Sequence, residues 1–403
     1  MNSSGIINSD FTESVDLPAP GSHALEHSQR LCNRIREAIG ENGGAISFAR
    51  YMELALYEPG LGYYSAGARK FGKEGDFITA PELSPLFSRC IARQCRQILE
   101  TLGCASILEL GPGSGVMACD ILQSLETYDC LPERYALLET SADLRARQQH
   151  LLSQRHPHLI TKVDWLDTLP DTSFDGIILA NEVLDAMPVH RLLLKAGDIF
   201  ELCVGWEGDR FAWTTRPLTD DLLISVNALM QDLKANLPDG YVTEINPQLA
   251  PWIKSLAETL NRGVMLFIDY GYPRREYFHP QRTDGTLLCH YRHRVHQDPF
   301  YYPGLQDITA SVDFTAVAHA AVQAGLQVSG YTSQAHFLVG CGLGDIINEK
   351  QLTGDIDRVE SGRQARILTM PGEMGERFKV IALTKDLDIS LSGFQFIDQR
   401  RRL

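Results

Sequence analysis

The spacing of apolar residues changes character twice along the chain. Leu31, Ile35 and Ile39 recur at i+4 steps and Gly40 closes the run, which predicts an amphipathic helix. "ISFARYMELALYEPG" (46–60) predicts a second helix ended by Pro59-Gly60. "SPLFSRCIARQCRQILETLG" (84–103) predicts a third, with Ser84 and Pro85 at its start and Gly103 at its stop. Between them, "GLGYYSAGARKFGKEGDFITAPE" (60–82) is glycine-rich, aromatic and without period, so a long functional loop is expected. From residue 106 short apolar runs alternate with helical patterns: "SILELG", "SGVMACDILQSLETY", "YALLET", "SADLRARQQHLLSQ", "LITKVDW" and "FDGIILANEV". That alternation predicts a mostly parallel sheet with helices on both faces.

After Pro188 the pattern breaks. "HRLLLKAGDIFELCVGWEGDRFAWTTRP" reads as short antiparallel strands turning at "EGDR", and helical stretches follow near 219–236 and 247–261. The parallel pattern resumes with "GVMLFIDYG" (263–271), a second unperiodic stretch covers 272–310, and "DFTAVAHAAVQAGL" is helical. "HFLVGCGL" and "RFKVIALTK" read as two strands, or as a strand and a helix start. The resulting division is a disordered tail (1–24), a helical N-terminal region (25–104), a first core part (105–188), inserted strands and helices (189–262) and a second core part (263–403).

Composition narrows the function classes. The chain has 403 residues, 44% hydrophobic and 22% charged, with a net charge of -14. That balance argues against a broad nucleic-acid footprint and against a basic membrane patch. The chain contains no apolar run long enough to span a bilayer. Its 9 cysteines are scattered with no C-x-x-C pair, as expected of reduced thiols in a cytoplasmic protein. The acidic, Ser- and Pro-containing N-terminus has neither the basic start nor the apolar core of a targeting peptide.

"ILELGPGSG" (107–115) carries the strongest chemical signal. A nucleotide-triphosphate loop ends in Gly-Lys-Ser/Thr, whereas Gly115 precedes Val116; a dinucleotide loop spaces its glycines G-x-G-x-x-G, whereas Gly111, Gly113 and Gly115 are one residue apart. Glu109, two residues before Gly111, would repel a pyrophosphate and suits a cationic ligand. E-x-G-x-G-x-G at a first strand–helix junction resembles class I S-adenosylmethionine methyltransferases, in which the loop cradles the methionine part of the cofactor. Glu139, ending the second strand, can accept bonds from ribose hydroxyls. Asp164, read as ending the third, can meet the adenine amino group, with Trp165 against the ring. Asn181, Glu182 and Asp185 in "LANEVLDAMP" follow the fourth strand, where ligands of such sheets sit, and two acids beside a cationic cofactor suit a cationic acceptor. His290, His293 and His296 stand three apart, yet no acid or cysteine completes a zinc pattern and Arg292 and Arg294 interleave. No metal is expected there; the loop is read as substrate-facing or ion-paired.

Several segments in order, "ALYEPGLGYYS", "EGDFITAPELSPLFS", "ILELGPGSG", "NEVLDAMPVHRL", "FIDYGYP", "GTLLCHYRHRVHQDPFYYPGLQDITASVDF" and "PGEMGERFKVIAL", resemble the MidA-like family of S-adenosylmethionine-dependent methyltransferases, over roughly residues 30 to 385. The resemblance implies an α/β class I methyltransferase fold: a doubly wound, mostly parallel sheet with a helical N-terminal cap and an inserted antiparallel and helical subdomain. It implies that Gly75, Asp76, Phe77, Ile78 and Thr79 lie over the cofactor with Gly111, Gly113, Gly115 and Glu139. Ser114 stands where relatives often carry Arg or Lys. The family includes the mitochondrial arginine methyltransferase of respiratory complex I assembly. A protein substrate such as a complex I subunit is therefore expected, with a small-molecule methyltransferase or a non-catalytic assembly factor as alternatives. Arginine is a demanding nucleophile because guanidinium stays protonated. A carboxylate must hold its fork, and Glu182, with Asp185 second, is expected to do so.

Overall fold

The computed structural model describes residues 17–66, 79–233, 236–349 and 355–403. Its central sheet has eight strands, of which Val312–Asp313 is a short addition and seven, most of them near-continuous apolar runs, form the main path. The seven are β1 (Ser106–Leu110), β2 (Tyr135–Leu138), β3 (Val163–Leu166), β4 (Phe174–Asn181), β5 (Leu260–Tyr272), β6 (Gln327–Ser333) and β7 (Phe378–Lys385). Their order is β3-β2-β1-β4-β5-β7-β6, and β7 alone runs antiparallel to its neighbours. Central strands covered on both faces need apolar side chains on both, hence runs rather than alternation.

One face is covered by the helices α3 (Pro85–Leu102) and α4 (Val116–Thr127), which follow α1 (Ser22–Glu41) and α2 (Phe48–Tyr57) in the chain. Phe87, Ile91, Ile98 and Ile121 pack there with Ile107, Ile177 and Leu179. The opposite face is covered by helices Leu249–Thr259 and Phe314–Gln323, through Ile253, Phe314 and Val317 against Ile178, Met265 and Phe267. The strand order reverses between β1 and β4, so a crevice opens at their carboxyl ends.

A second, antiparallel sheet joins Ala45–Ser47, Asp198–Glu207, His190–Lys195 and Val242–Ile245, with Arg210–Pro217 also on Asp198–Glu207. Its core is shared: Leu31, Ile35, Phe48, Tyr51 and Met52 of α1 and α2 pack with Val204, Phe211, Cys289 and Ile308. The N-terminal helices therefore rest on the insert rather than on the central sheet.

Four elements differ from the sequence reading. The stretch 46–60 begins as strand, and α2 starts only after Ser47, whose side chain accepts the Arg50 N–H. Residues 272–310 hold three strands, Leu288–Tyr291, Arg294–His296 and Asp307–Thr309. "HFLVGCGL" lies largely in helix Gln334–Gly340; the strand is the preceding β6, whose Gly330 lies against the Phe394 ring, leaving a Cβ only 2.3 Å from it. Asp164 is the second residue of β3, not its end.

Candidate active site

The glycine loop bends out of β1 with Gly111, Gly113 and Gly115 all in the left-handed region, at φ 58°, 54° and 82°. L residues adopt that region at a cost, and at two positions space is also closed. A Cβ on Gly111 would meet Val183 Cγ2 at 3.0 Å, and one on Gly115 would meet Gln148 Cγ at 3.0 Å. Gln148 of α5 (Ala142–Arg155) ties the loop down: its Nε2 donates to Gly113 O at 2.8 Å and to Glu139 Oε2 at 3.2 Å, and its Oε1 accepts the Trp165 indole N–H at 3.1 Å.

A cavity of about 390 Å³ lies over this loop. It is lined by six carboxylates, Glu82, Glu109, Glu139, Glu182, Asp185 and Asp307, and by no Lys, Arg or His among the described residues. Gly111, Gly113, Ser114, Asn181 and Thr79 line it too. Phosphate ligands need donors or positive charge at such a loop. An acid-lined cradle of this kind fits a cation without phosphate. Gly75, Asp76, Phe77 and Ile78 lie outside the described residues.

Glu109 sits at this cavity but is 1% exposed, and its Oε2 accepts the Tyr135 hydroxyl at 2.5 Å. Burial pushes its pKa up to about 8 against that bond. Glu139 has both oxygens engaged, Oε1 by the Ser141 N–H at 2.8 Å and Oε2 by Gln148. Ser114 Oγ donates to Glu82, which joins the glycine loop to the segment before α3. Asp164 does not reach the cavity: it pairs with Arg134 on the far part of β3, because the strand continues two residues beyond it. Trp165 is likewise outside the lining and is held by Gln148.

Glu182, just beyond β4, has a left-handed backbone at φ 54°. The residue is half-buried, and its carboxylate accepts from Asn181 Nδ2 at 3.2 Å and from the Ala80 N–H. Burial, then Asp185, raises its pKa to about 8. Burial also raises Asp185 to about 6. The Tyr270 hydroxyl is near enough to oppose that shift, yet neither it nor Asp185 Oδ1 meets a partner at hydrogen-bonding geometry.

A second cavity of about 810 Å³ adjoins the first, sharing Glu82, Glu182, Asp185 and Asp307. Tyr270, Tyr272, His290, Arg363 and Arg377 also line it. Tyr64 donates to Asp307 Oδ1 at 2.9 Å and stacks on Tyr57 with centroids 5.5 Å apart. The three loop histidines are separated by a hairpin. Arg292 and His293 form its tip at φ 48° and 60°, and His290 and His296 lie on different strands, paired with Val295 and Cys289. Sequence reasoning named neither Glu82, Asp269 nor Asp307 as site residues. Asp269 and Asp307 carry the same signal as Glu109, an acid beside an apolar run, in "FIDYG" and "LQDIT".

Residues 90–332 match the family described as "Putative S-adenosyl-L-methionine-dependent methyltransferase". A Burkholderia thailandensis protein crystallised with S-adenosyl-homocysteine is 42% identical, with a TM-score of 0.91 over 96% of this chain and 100% of that one. The chain belongs to the MidA-like methyltransferases. Its cofactor is S-adenosylmethionine. The Drosophila melanogaster "Protein arginine methyltransferase NDUFAF7 homolog, mitochondrial" is 29% identical to this MidA-like enzyme, covering 91% of this chain and 88% of its own. The Mus musculus "Protein arginine methyltransferase NDUFAF7, mitochondrial" is 27% identical over 91% and 86%. These mitochondrial names overturn the cytoplasmic expectation. The cysteines are all free among the described residues. No helix of the described residues is long and apolar enough to cross a membrane.

Proposed function

We propose that this methyltransferase modifies an arginine side chain of a protein. A respiratory complex I subunit is the acceptor that the family resemblance implies. The observation carrying this reading is the junction of the two cavities, where Glu82, Glu182, Asp185 and Asp307 meet and, among the described residues, no basic side chain lines the first cavity to neutralise them. A guanidinium entering from the larger cavity supplies that charge, and relatives named as protein arginine methyltransferases support the choice.

In this reading the glycine loop and Glu139 hold the cofactor, with Glu109 supplying negative charge beneath it. The cofactor supplies an electrophilic methyl group. Glu182 grips the guanidinium through charge-assisted bonds, turns one nitrogen toward the transfer point, and accepts at its carboxylate the proton which that nitrogen releases. Asp185 supports it from the same turn, and Asn181 fixes Glu182 through its amide. Tyr64 orients Asp307 at the acceptor side.

The deciding experiment incubates the protein with labelled S-adenosylmethionine and a lysate from cells lacking the enzyme, then maps the label by mass spectrometry. A methylated arginine on a discrete protein is the expected result. Label only in small molecules would replace the reading with a small-molecule enzyme, and no label at all would leave a cofactor-binding assembly factor.

A further inference from the structure

One buried acid beside Glu182 and Asp185 takes no part in the mechanism. Asp269 lies near the end of β5, is 1% exposed, and points across to the turn after β4. Its Oδ2 accepts the backbone N–H groups of Val183 at 3.2 Å, Leu184 at 2.9 Å and Asp185 at 3.3 Å. Its Oδ1 accepts the Tyr270 N–H at 2.8 Å. A single oxygen thus gathers three successive amides, the same backbone arrangement by which loops bind anions.

The turn so gathered begins at Glu182. That residue is held at φ 54° and fastened at its own N–H to Ile268 O at 2.9 Å, one residue before Asp269. Without an acceptor at the centre, these three amides, two of them buried, would be left unsatisfied. The left-handed step at Glu182 would then lose the structure that over-determines it. Placing a third acid beside Glu182 and Asp185 raises electrostatic repulsion, which argues against a merely tolerated residue.

We propose that Asp269 is a positioning residue for methyl transfer: by gathering the amides of residues 183–185 it fixes where Glu182 and Asp185 stand at the junction of the two cavities. The proposal rests on the role given above to Glu182. Burial, then Asp185 and Glu182, pushes the Asp269 carboxyl well up, against the Tyr270 and Asp185 N–H groups, so its role rests on the acceptor geometry of its oxygens.

The test compares the full chain with Asp269→Asn and Asp269→Glu. Hydrogen exchange at the amides of Val183, Leu184 and Asp185 should quicken in both, with S-adenosylhomocysteine affinity within about threefold of the parent. Methyl transfer from labelled S-adenosylmethionine to lysate protein should lose roughly ten- to a hundredfold in kcat. KM for the cofactor should be nearly unchanged. Unchanged exchange at 183–185, or an unchanged kcat in a folded Asp269→Asn protein, overturns the proposal. If the parent itself transfers nothing to protein, the reading of the acceptor fails, while the exchange arm still decides whether Asp269 holds the turn.

Discussion

At the scale of single residues, the proposed function separates binding from chemistry across the two cavities. Glu182 stands at their junction, whereas the glycine loop and Glu139 lie on the first cavity alone. Glu182→Gln keeps size and one acceptor oxygen but loses the charge that grips a cation. Calorimetry should find S-adenosylhomocysteine affinity little changed. Transfer should fall roughly 100-fold or more, the scale of losing a charge-assisted contact to the reacting group. Equal transfer by variant and parent would remove Glu182 from the mechanism.

Elements show how far the sequence could be read. The apolar runs from Ile107 to Asn181 predict four parallel strands because buried parallel strands must be apolar on both faces, and those strands form. The acids at strand ends are legible for the same reason: Glu109 and Glu182 interrupt or follow runs that packing alone would leave apolar. Asp164 misleads because "LITKVDW" hides where its strand stops. The strand spans Val163–Leu166, which leaves the acid near the start and facing Arg134. β6 is illegible because "QVSGYTS" lacks an apolar run; it is made a strand by pairing with β7 and by the space Gly330 leaves for Phe394. Asp269 escapes notice because its partners are backbone amides of a turn 84–86 residues away. The Phe394 contact is testable. Gly330→Val drives side-chain atoms into that ring, and chemical denaturation should show a loss of about 1–3 kcal/mol, the usual cost of overpacking. A neutral result would mean that the 392–394 turn yields freely.

For the molecule as a whole, the acid cluster makes stability depend on pH in an unusual direction. Glu109 and Glu182 are raised from 4.5 to about 8, and Asp185 from 3.8 to about 6. The folded chain therefore binds more protons than the unfolded one between those limits. Stability falls as pH rises through that window. The ligand-free protein should melt at a lower temperature at pH 8.5 than at pH 6, by calorimetry, and Glu182→Gln should flatten the slope. A melting temperature that climbs over this range would show that the cluster is ionised, and compensated, without ligand.

The left-handed backbone of Glu182 sets evolution's interests against those of the fold. An L residue at φ 54° is strained by roughly 1–2 kcal/mol, and a glycine would carry no such strain. Random drift selected for robustness alone would replace this glutamate, since glycine relieves the backbone and deletes a half-buried acid at once. Glu182→Gly should accordingly yield a ligand-free protein at least as heat-resistant as the parent at pH 8 and incapable of methyl transfer. A Glu182→Gly protein that is heat-resistant but unable to transfer methyl would mark a fold that surrenders durability for reactivity at this turn.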